Sequence, residues 1–427
     1  MRELYKKKMY LIYFIFSLSS LLGCKKRSVN EETIASENAQ ESTSVQVDTS
    51  YNIFHQLTTD SSSQSVFMHE ISPKYEINAR GWQGCPSIGY LKGSLYVGYY
   101  CGTKGEEPGN YISVALSDDM GKSWKDNCLI LARKDELGRN FDPSFWNDKY
   151  GGLHLSWTTS SSFWDGAKGG TWQVKVKRAN NKITMTTPSF LFNGIMNVKP
   201  TISMTDSSKI LFPVSGWNFT GNKIGIFDTS PTPQELNGAF VYESTYDAKT
   251  KQITKPTKIS LINTIYSRTF DEHMIVDLGL GNMICLLRTN TNGTCIVRSA
   301  DGGRSWTTQE PFLSVGSTTD SKIFFGKLKS GNILLVLNNS TKREKLTAYL
   351  SKDNGKTWPF KVLIDARNGV SYPDATENSE GEICLVYDYG RSPIGHVIFA
   401  KFSEQDIING DPSKILKTMV SQIKPLP

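Results

Sequence analysis

From residue 80 onward the apolar positions fall in short bursts with a two-residue alternation, each broken by Gly, Asn, Asp or Ser. No long stretch carries the 3.6-residue period of an amphipathic helix, so the pattern predicts strands. One kind of run recurs six times: Gly93-Ser-Leu-Tyr-Val, Gly151-Gly-Leu-His-Leu, Ser208-Lys-Ile-Leu-Phe, Gly281-Asn-Met-Ile-Cys, Gly331-Asn-Ile-Leu-Leu and Gly381-Glu-Ile-Cys-Leu. A second short run precedes each, as in Cys85-Pro-Ser-Ile, Asp142-Pro-Ser-Phe, Lys199-Pro-Thr-Ile, Glu272-His-Met-Ile, Lys322-Ile-Phe-Phe and Tyr372-Pro-Asp-Ala. Six units, each long enough for about four strands, predict an all-β fold, a six-bladed β-propeller of four-stranded antiparallel blades. The segment near 65–80 is expected to pair with the last unit and so close the ring without a free edge.

A third repeat punctuates the units. Ser117-Asp-Asp-Met-Gly-Lys-Ser-Trp124, Ser299-Ala-Asp-Gly-Gly-Arg-Ser-Trp306 and Ser351-Lys-Asp-Asn-Gly-Lys-Thr-Trp358 all read Ser-x-Asp-x-Gly-x-[Ser/Thr]-Trp. Each follows a strand-like run, which predicts a hairpin turn. The Asp accepts backbone N–H groups, the Gly takes a positive φ and the Trp folds under the turn. These boxes close the third-to-fourth strand turns of units one, four and five.

The first 62 residues differ in kind. A charged start, Met1 to Lys8, leads into an apolar run from Met9 to Leu22 and then Leu21-Leu22-Gly23-Cys24, which resembles a bacterial lipobox. The expectation is a signal peptide over 1–23, lipidation at Cys24, a flexible tether over 24–62 rich in Ser, Thr, Glu and Gln, and a propeller over 63–427. That implies a lipid-anchored protein of the bacterial cell envelope, facing the periplasm or the exterior. Of the net charge of +7, residues 1–23 hold +3 (four basic residues and Glu3), leaving +4. So mild an excess, without a basic run interleaved with aromatics, argues against nucleic acid. The cysteines after Cys24 show no metal spacing, and no cofactor motif is present. Cys85 with Cys101, and Cys285 with Cys295, either pair across neighbouring strands or stay buried thiols.

Antiparallel topology places the starts of first strands, the ends of second strands and the 2–3 loops on one face, and the boxes on the other. The boxes are therefore scaffold. The opposite mouth gathers Arg80, Lys199, Arg288, Lys322, Arg343 and Arg391 with Glu106, Glu107, Asp142, Asp165, Asp271, Glu272, Asp374 and Asp388. Trp82, Trp164, Trp217, Tyr372 and His273 add aromatic surface. Converging arginines suit bidentate capture of a carboxylate, and paired carboxylates suit acid–base work at a glycosidic bond. A glycan or glycoconjugate is the partner these residue types fit.

Boxes of this kind on a six-bladed propeller resemble the sialidase (neuraminidase) superfamily over roughly residues 80–405. The resemblance implies a Tyr nucleophile, matched by Tyr372 in Ser371-Tyr-Pro-Asp-Ala, and a Glu base, matched by Glu272 in Asp271-Glu-His-Met-Ile-Val-Asp-Leu. It implies carboxylate-binding arginines at Arg288 and Arg343. Two positions depart. The family's first arginine would stand at Gly84 in Trp82-Gln-Gly-Cys-Pro86; Arg80, four residues earlier, is expected by strand alternation to face the same side. The family's acid/base Asp belongs to the first-blade 2–3 loop, which here offers Glu106 and Glu107. His273 and Asp142 fall outside the family's pattern: His273 is a second base or substrate contact, or a packed, hydrogen-bonded histidine if the strand alternates regularly, and Asp142 is a turn or strand-start residue or meets a substrate hydroxyl. Arg391 joins the substrate-binding set.

The reading is an exo-acting, retaining glycoside hydrolase of sialidase type. Two alternatives stand beside it: another glycan-cleaving enzyme on this scaffold, such as a uronate-directed lyase or a non-sialic glycosidase, and a non-catalytic glycan-binding propeller.

Overall fold

Six antiparallel sheets follow one another along the chain in a computed structural model, with neighbouring strands in sequence pairing in every sheet. The structure describes residues 65–423 apart from 135–137, 161–169, 180–181, 217–235, 267, 269 and 292. Cys24 and the whole of 1–64 lie outside the described residues, as do Trp164, Asp165 and Trp217. Blade one runs Trp82–Leu91, Ser94–Gly102, Tyr111–Ser117, Lys125–Arg133, and blade two Arg139–Asn147, Leu153–Ser160, Gly170–Ala179, Ser189–Asn193. Blade three is Thr201–Ile202, Lys209–Gly216, Gly238–Thr245, Thr257–Ile262, and blade four Met274–Gly279, Asn282–Thr289, Gly293–Ser299, Glu310–Pro311. Blade five is Phe324–Lys327, Ile333–Asn338, Leu346–Ser351, Phe360–Asp365, and blade six Val370–Glu377, Ile383–Tyr389, His396–Phe402, Leu416–Gln422. The alternation read from the sequence buries one row of each strand against the next blade. Ile88, Val97 and Tyr99 of blade one, for example, pack on Val386 and Phe399 of blade six.

Closure differs from the expectation. Ser65–Met68 pairs with the outer strand of blade one, Lys125–Arg133, and not with the last unit. Blade six is built wholly from the C-terminal strands, and its seam with blade one is held by side chains and by the Gln83 N–H, which donates to the Arg391 carbonyl at 3.1 Å. Ser87 Oγ donates to Asp374 Oδ2 at 2.6 Å, Gln83 Nε2 to the Gly395 carbonyl at 2.6 Å, and Ser421 Oγ to Asp126 Oδ2 at 2.6 Å. No strand exchange is needed because blade six already has its fourth strand.

The boxes take the conformation their residues dictate. In the first, Ser117 Oγ donates to Asp119 Oδ1 at 2.8 Å and accepts from the Gly121 N–H at 2.8 Å, while the Ser123 N–H donates to Asp119 Oδ1 at 2.9 Å. The same bonds recur around Asp301 and Asp353. Gly121, Gly303 and Gly355 carry φ of 85°, 83° and 77°. The tryptophans reach beyond their own hairpins. Trp124 meets Phe399 of blade six edge-on at 5.3 Å, Trp306 donates to Ser260 Oγ of blade three at 3.1 Å, and Trp358 meets Phe312 of blade four. Each box thus fastens its blade to the preceding one.

The six cysteines among the described residues are free thiols, so neither cross-strand pair forms.

Candidate active site

A bulge at the start of the first strand builds the site. In blades one, two and six the register slips at Gly84/Ser87, Phe141/Ser144 and Ser371/Asp374. The residue inside each slip takes a positive φ: Cys85 at 51°, Asp142 at 51° and Tyr372 at 54°. Pro86, Pro143 and Pro373 follow, and a proline leaves no unpaired N–H in the bulge. Glu272, which precedes the first paired residue of blade four by two positions, has φ of 45°. Left-handed backbone costs an L-residue about 1–2 kcal/mol, so these four are held against their preference. All four line one cavity at the mouth. Backbone outliers of this kind cluster at functional sites.

The cavity measures about 180 Å³, below the ~300–1,000 Å³ of clefts that hold drug-sized ligands, and suits a single sugar ring. Tyr100, Phe141 and Phe270 form its apolar wall; Glu106, Arg139, Arg288, Arg343 and Arg391 complete it. A larger cavity of about 310 Å³ opens toward the other end of the axis, lined by Met274, Phe324, Phe325 and Leu334, and has no convergent arginines. Lys199 Nζ, which lines this larger cavity, pairs with Asp374 at 2.9 Å.

Tyr372 and Glu272 meet through Arg288. Its Nη1 donates to the Tyr372 hydroxyl at 2.8 Å and to Glu272 Oε2 at 2.7 Å. Asn197 Nδ2 donates to the other Glu272 oxygen at 2.8 Å. Burial opposes charge on Glu272, but Arg288, Asn197 and Tyr372 outweigh it and hold the carboxyl below its usual range. Burial drives the Tyr372 phenol the other way, well above its usual range, with Arg288 opposing and Glu272 adding to the rise. The resting pair is therefore a neutral phenol beside a carboxylate, the order needed for the carboxylate to take the phenolic proton.

The Arg391 side chain fills the space beside Gly84. A Cβ on Gly84 would lie 2.9 Å from Arg391 Cγ and Cδ. Asp388 Oδ2 accepts from Arg391 Nε at 2.8 Å, and the guanidinium lies over the Tyr372 ring with Cζ 4.0 Å from the centroid. Its Nη2 is buried with no hydrogen-bond partner among the described residues. Arg343 approaches the same ring from farther off, Cζ at 5.3 Å. Arg80, by contrast, is fully buried away from the cavity. Its Nε donates to Tyr111 Oη at 3.1 Å and its Nη1 to Gln83 Oε1 at 3.0 Å, with Asp126 at 3.7 Å. The chain before Trp82 is a 3₁₀ turn, Ile77–Ala79, so strand alternation does not extend back to residue 80.

The carboxylates divide as sharply. Glu106 lines the cavity between Arg139 at 3.4 Å and Arg391 at 3.7 Å. Glu107 does not line it; its Oε1 accepts from the Lys104 N–H at 2.9 Å and shapes the loop. Asp142 lines the cavity, and burial together with the charges of Glu272 and Glu106 pushes its carboxyl up to about 7. His273 is turned away: its Nε2 sits 2.9 Å from the Phe240 carbonyl, and burial lowers its basicity, so it is a packed residue and not a second base. Asp271 pairs with Arg268 beneath the site. Sequence reasoning missed Arg139, which stacks on Phe141 with Cζ 3.9 Å from the ring centroid, and Asp320, which pairs with Arg288 Nε. Arg139 opens the very run, Arg139-Asn-Phe-Asp142, that carries Asp142.

A family model described as a BNR repeat-like domain matches residues 93–385, more than half of the chain. The chain belongs to the BNR repeat-like family. Among curated proteins it is similar to the anhydrosialidase of Macrobdella decora, 27% identical over 135 residues, which is 27% of this chain and 18% of that protein. The match thus spans less than a fifth of that relative. Among solved structures, the Hadza microbial sialidase Hz136 superposes with a TM-score of 0.54 at 14% identity, over 78% of this chain and 67% of that one. The NanB sialidase from Streptococcus pneumoniae gives 0.53 at 12% identity, over 83% and 69%. A protein of unknown function from Dyadobacter fermentans gives 0.51 at 14% identity, over 77% and 94%. At these identities the solved structures establish a shared propeller fold.

Proposed function

We propose that this BNR repeat-like protein is an exo-acting glycoside hydrolase of sialidase type, which releases a terminal acidic sugar with retention through Tyr372. The observation that carries the reading is the single guanidinium of Arg288 joining the Tyr372 hydroxyl to the Glu272 carboxylate inside a one-ring cavity. In this mechanism the sugar carboxylate lies among Arg288, Arg343 and Arg391. The Tyr372 oxygen attacks the anomeric carbon as its proton passes to Glu272, and the glycosidic C–O bond breaks with its electron pair leaving on the aglycone oxygen, which takes a proton from a second cavity carboxyl group. Water then attacks the same carbon, giving one proton to that second carboxylate and displacing Tyr372, which recovers its proton from Glu272. A neutral tyrosine suits an anionic sugar, because a carboxylate nucleophile would meet the substrate's own charge at close range. The cavity's arginines support the acidic-sugar assignment, and the turned-away His273 leaves a lyase reading with Tyr372 alone of its two candidate proton-transfer groups.

The test is release of acidic sugar from a chromogenic sialoside. The wild-type protein should hydrolyse it, and Tyr372→Phe should lose at least ~10²-fold in kcat with little change in KM. A wild-type protein inert on every acidic glycoside offered would contradict the reading. We further propose that the chain is anchored to the cell envelope by lipid on Cys24. Metabolic labelling with a radioactive fatty acid should mark the protein, and Cys24→Ser should not be marked.

A further inference from the structure

Three carboxyl groups line the cavity: Glu106, Asp142 and Glu272. Glu272 is committed to Asn197 and Arg288, and Glu106 to Arg139 and Arg391. Asp142 is different. Its side chain is only 6% exposed, its backbone is held left-handed so that it sits at the cavity, and among the described residues it takes part in no hydrogen bond or ion pair.

We propose that Asp142, at the start of blade two, is the acid/base of the proposed glycosidase, giving its proton to the leaving glycosidic oxygen. The first-blade loop carboxylates then have other work: Glu106 holds Arg139 and Arg391 in place, and Glu107 shapes the loop. This inference rests on the hydrolase reading above and adds the residue that completes it.

The chemistry balances with groups on the page. As the Tyr372 oxygen bonds to the anomeric carbon, the breaking C–O bond delivers its electron pair to the aglycone oxygen, which takes the Asp142 proton. Asp142 is then a carboxylate, and it accepts a proton from the water whose oxygen displaces Tyr372. The second step restores the starting protonation of both Asp142 and, through Tyr372, Glu272. The charged surroundings fit this cycle. Glu272 of blade four and Glu106 of blade one favour a protonated Asp142, while Arg139 of its own strand and Lys322 of blade five oppose this without overcoming burial. Tyr372, Tyr100 and Cys85 around the same cavity are all kept neutral by burial. Two carboxyls whose environments push them apart, one ionised and one proton-bearing, are the usual mark of an acid/base division of labour.

The experiment compares two glycosides of the same acidic sugar, one with a 4-nitrophenyl leaving group and one with a sugar alcohol. Asp142→Asn should lose about 10²–10⁴-fold in kcat/KM on the sugar-alcohol substrate, the range general acid catalysis supplies. It should lose far less on the nitrophenyl substrate, whose leaving group needs no proton. The basic limb of the wild-type kcat/KM profile should disappear in Asp142→Asn and persist in Glu106→Gln. Equal losses on both substrates, or a basic limb removed by Glu106→Gln and kept in Asp142→Asn, would overturn the assignment. Calorimetric binding of the free acidic sugar to Asp142→Asn confirms a folded site; if that variant does not fold, Asp142→Glu, which keeps a carboxyl, should retain the limb with a shifted midpoint, and an unshifted midpoint would count against the proposal. Wild-type protein inactive on both substrates removes this inference together with the hydrolase reading, whereas an active enzyme indifferent to Asp142 removes this inference alone.

Discussion

Arg391 and Gly84 share one space: the side chain of the first fills the volume that any side chain on the second would need, with a contact of 2.9 Å to a Cβ there. A side chain at Gly84 and the side chain of Arg391 thus exclude one another. Arg391→Ala should weaken binding of a free acidic sugar by about 1.5–3 kcal/mol, the worth of a hydrogen bond to a charged group, or roughly tenfold to over a hundredfold in Kd by calorimetry. Gly84→Ala should weaken the same binding by pushing Arg391 aside. Tight binding in both variants would exclude Arg391 from the clamp.

Arg80 should behave in the opposite way. Replacing it by Met leaves Asp126, Tyr99 and Tyr111 without their cation in a closed interior. Removing one partner of a buried charged pair costs about 3–5 kcal/mol, so Arg80→Met should lower the melting temperature markedly. KM for an acidic substrate, measured below that temperature, should stay at the wild-type value.

Two sets of carboxylates should give stability opposite slopes in separate pH windows. Asp119, Asp301 and Asp353 are held down at about 2 by the Ser or Thr of their own boxes. Their folded pKa lies below the unfolded one, so their contribution is present above pH ~4 and fades as pH falls toward ~2. Asp142, raised to about 7, acts in reverse: its contribution is full below pH ~4 and is lost as pH rises through ~7. The shift from ~3.9 to about 7 corresponds to about 4 kcal/mol at alkaline pH. Asp142→Asn should therefore melt higher than the wild type at pH 8 and at nearly the same temperature at pH 4. An equal shift at both pH values would mean that Asp142 is not buried as a proton-bearing acid.

The cysteines provide a simple check on the fold. Cys101 is buried beside Arg80, and burial pushes its thiol up to about 12. It should react with a thiol-specific disulfide reagent only after denaturation, and reductant should leave the melting temperature unchanged. A drop in melting temperature on reduction would show that a disulfide forms after all.

The propeller was legible because its evidence is local and repeated. A two-residue alternation, six Gly- or Ser-led runs and three boxes each specify a strand or turn without reference to the rest of the chain. The mouth followed from topology alone, which is why Tyr372, Glu272, Arg288, Arg343, Arg391, Asp142 and Glu106 all line one cavity. What failed depended on backbone detail that alternation cannot carry. The 3₁₀ turn at Ile77–Ala79 and the slip between Gly84 and Ser87 broke the parity that placed Arg80 at the mouth. His273, next to Glu272 in sequence, points to Phe240 in the neighbouring blade, on a stretch that precedes the strand starting at Met274 and in which Glu272 carries a φ of 45°. Ring closure was misplaced because pairing of Ser65–Met68 with blade one or blade six turns on long-range packing and not on local pattern.

The central claim is that Tyr372 bonds covalently to an acidic sugar. Incubation with a fluorinated acidic-sugar fluoride, which reacts at the first step and stalls at the second, followed by mass spectrometry of peptides, tests it directly. The account predicts one sugar adduct on the peptide containing Tyr372, absent in Tyr372→Phe; an adduct on another residue, or hydrolysis with no adduct at any stage, would contradict it.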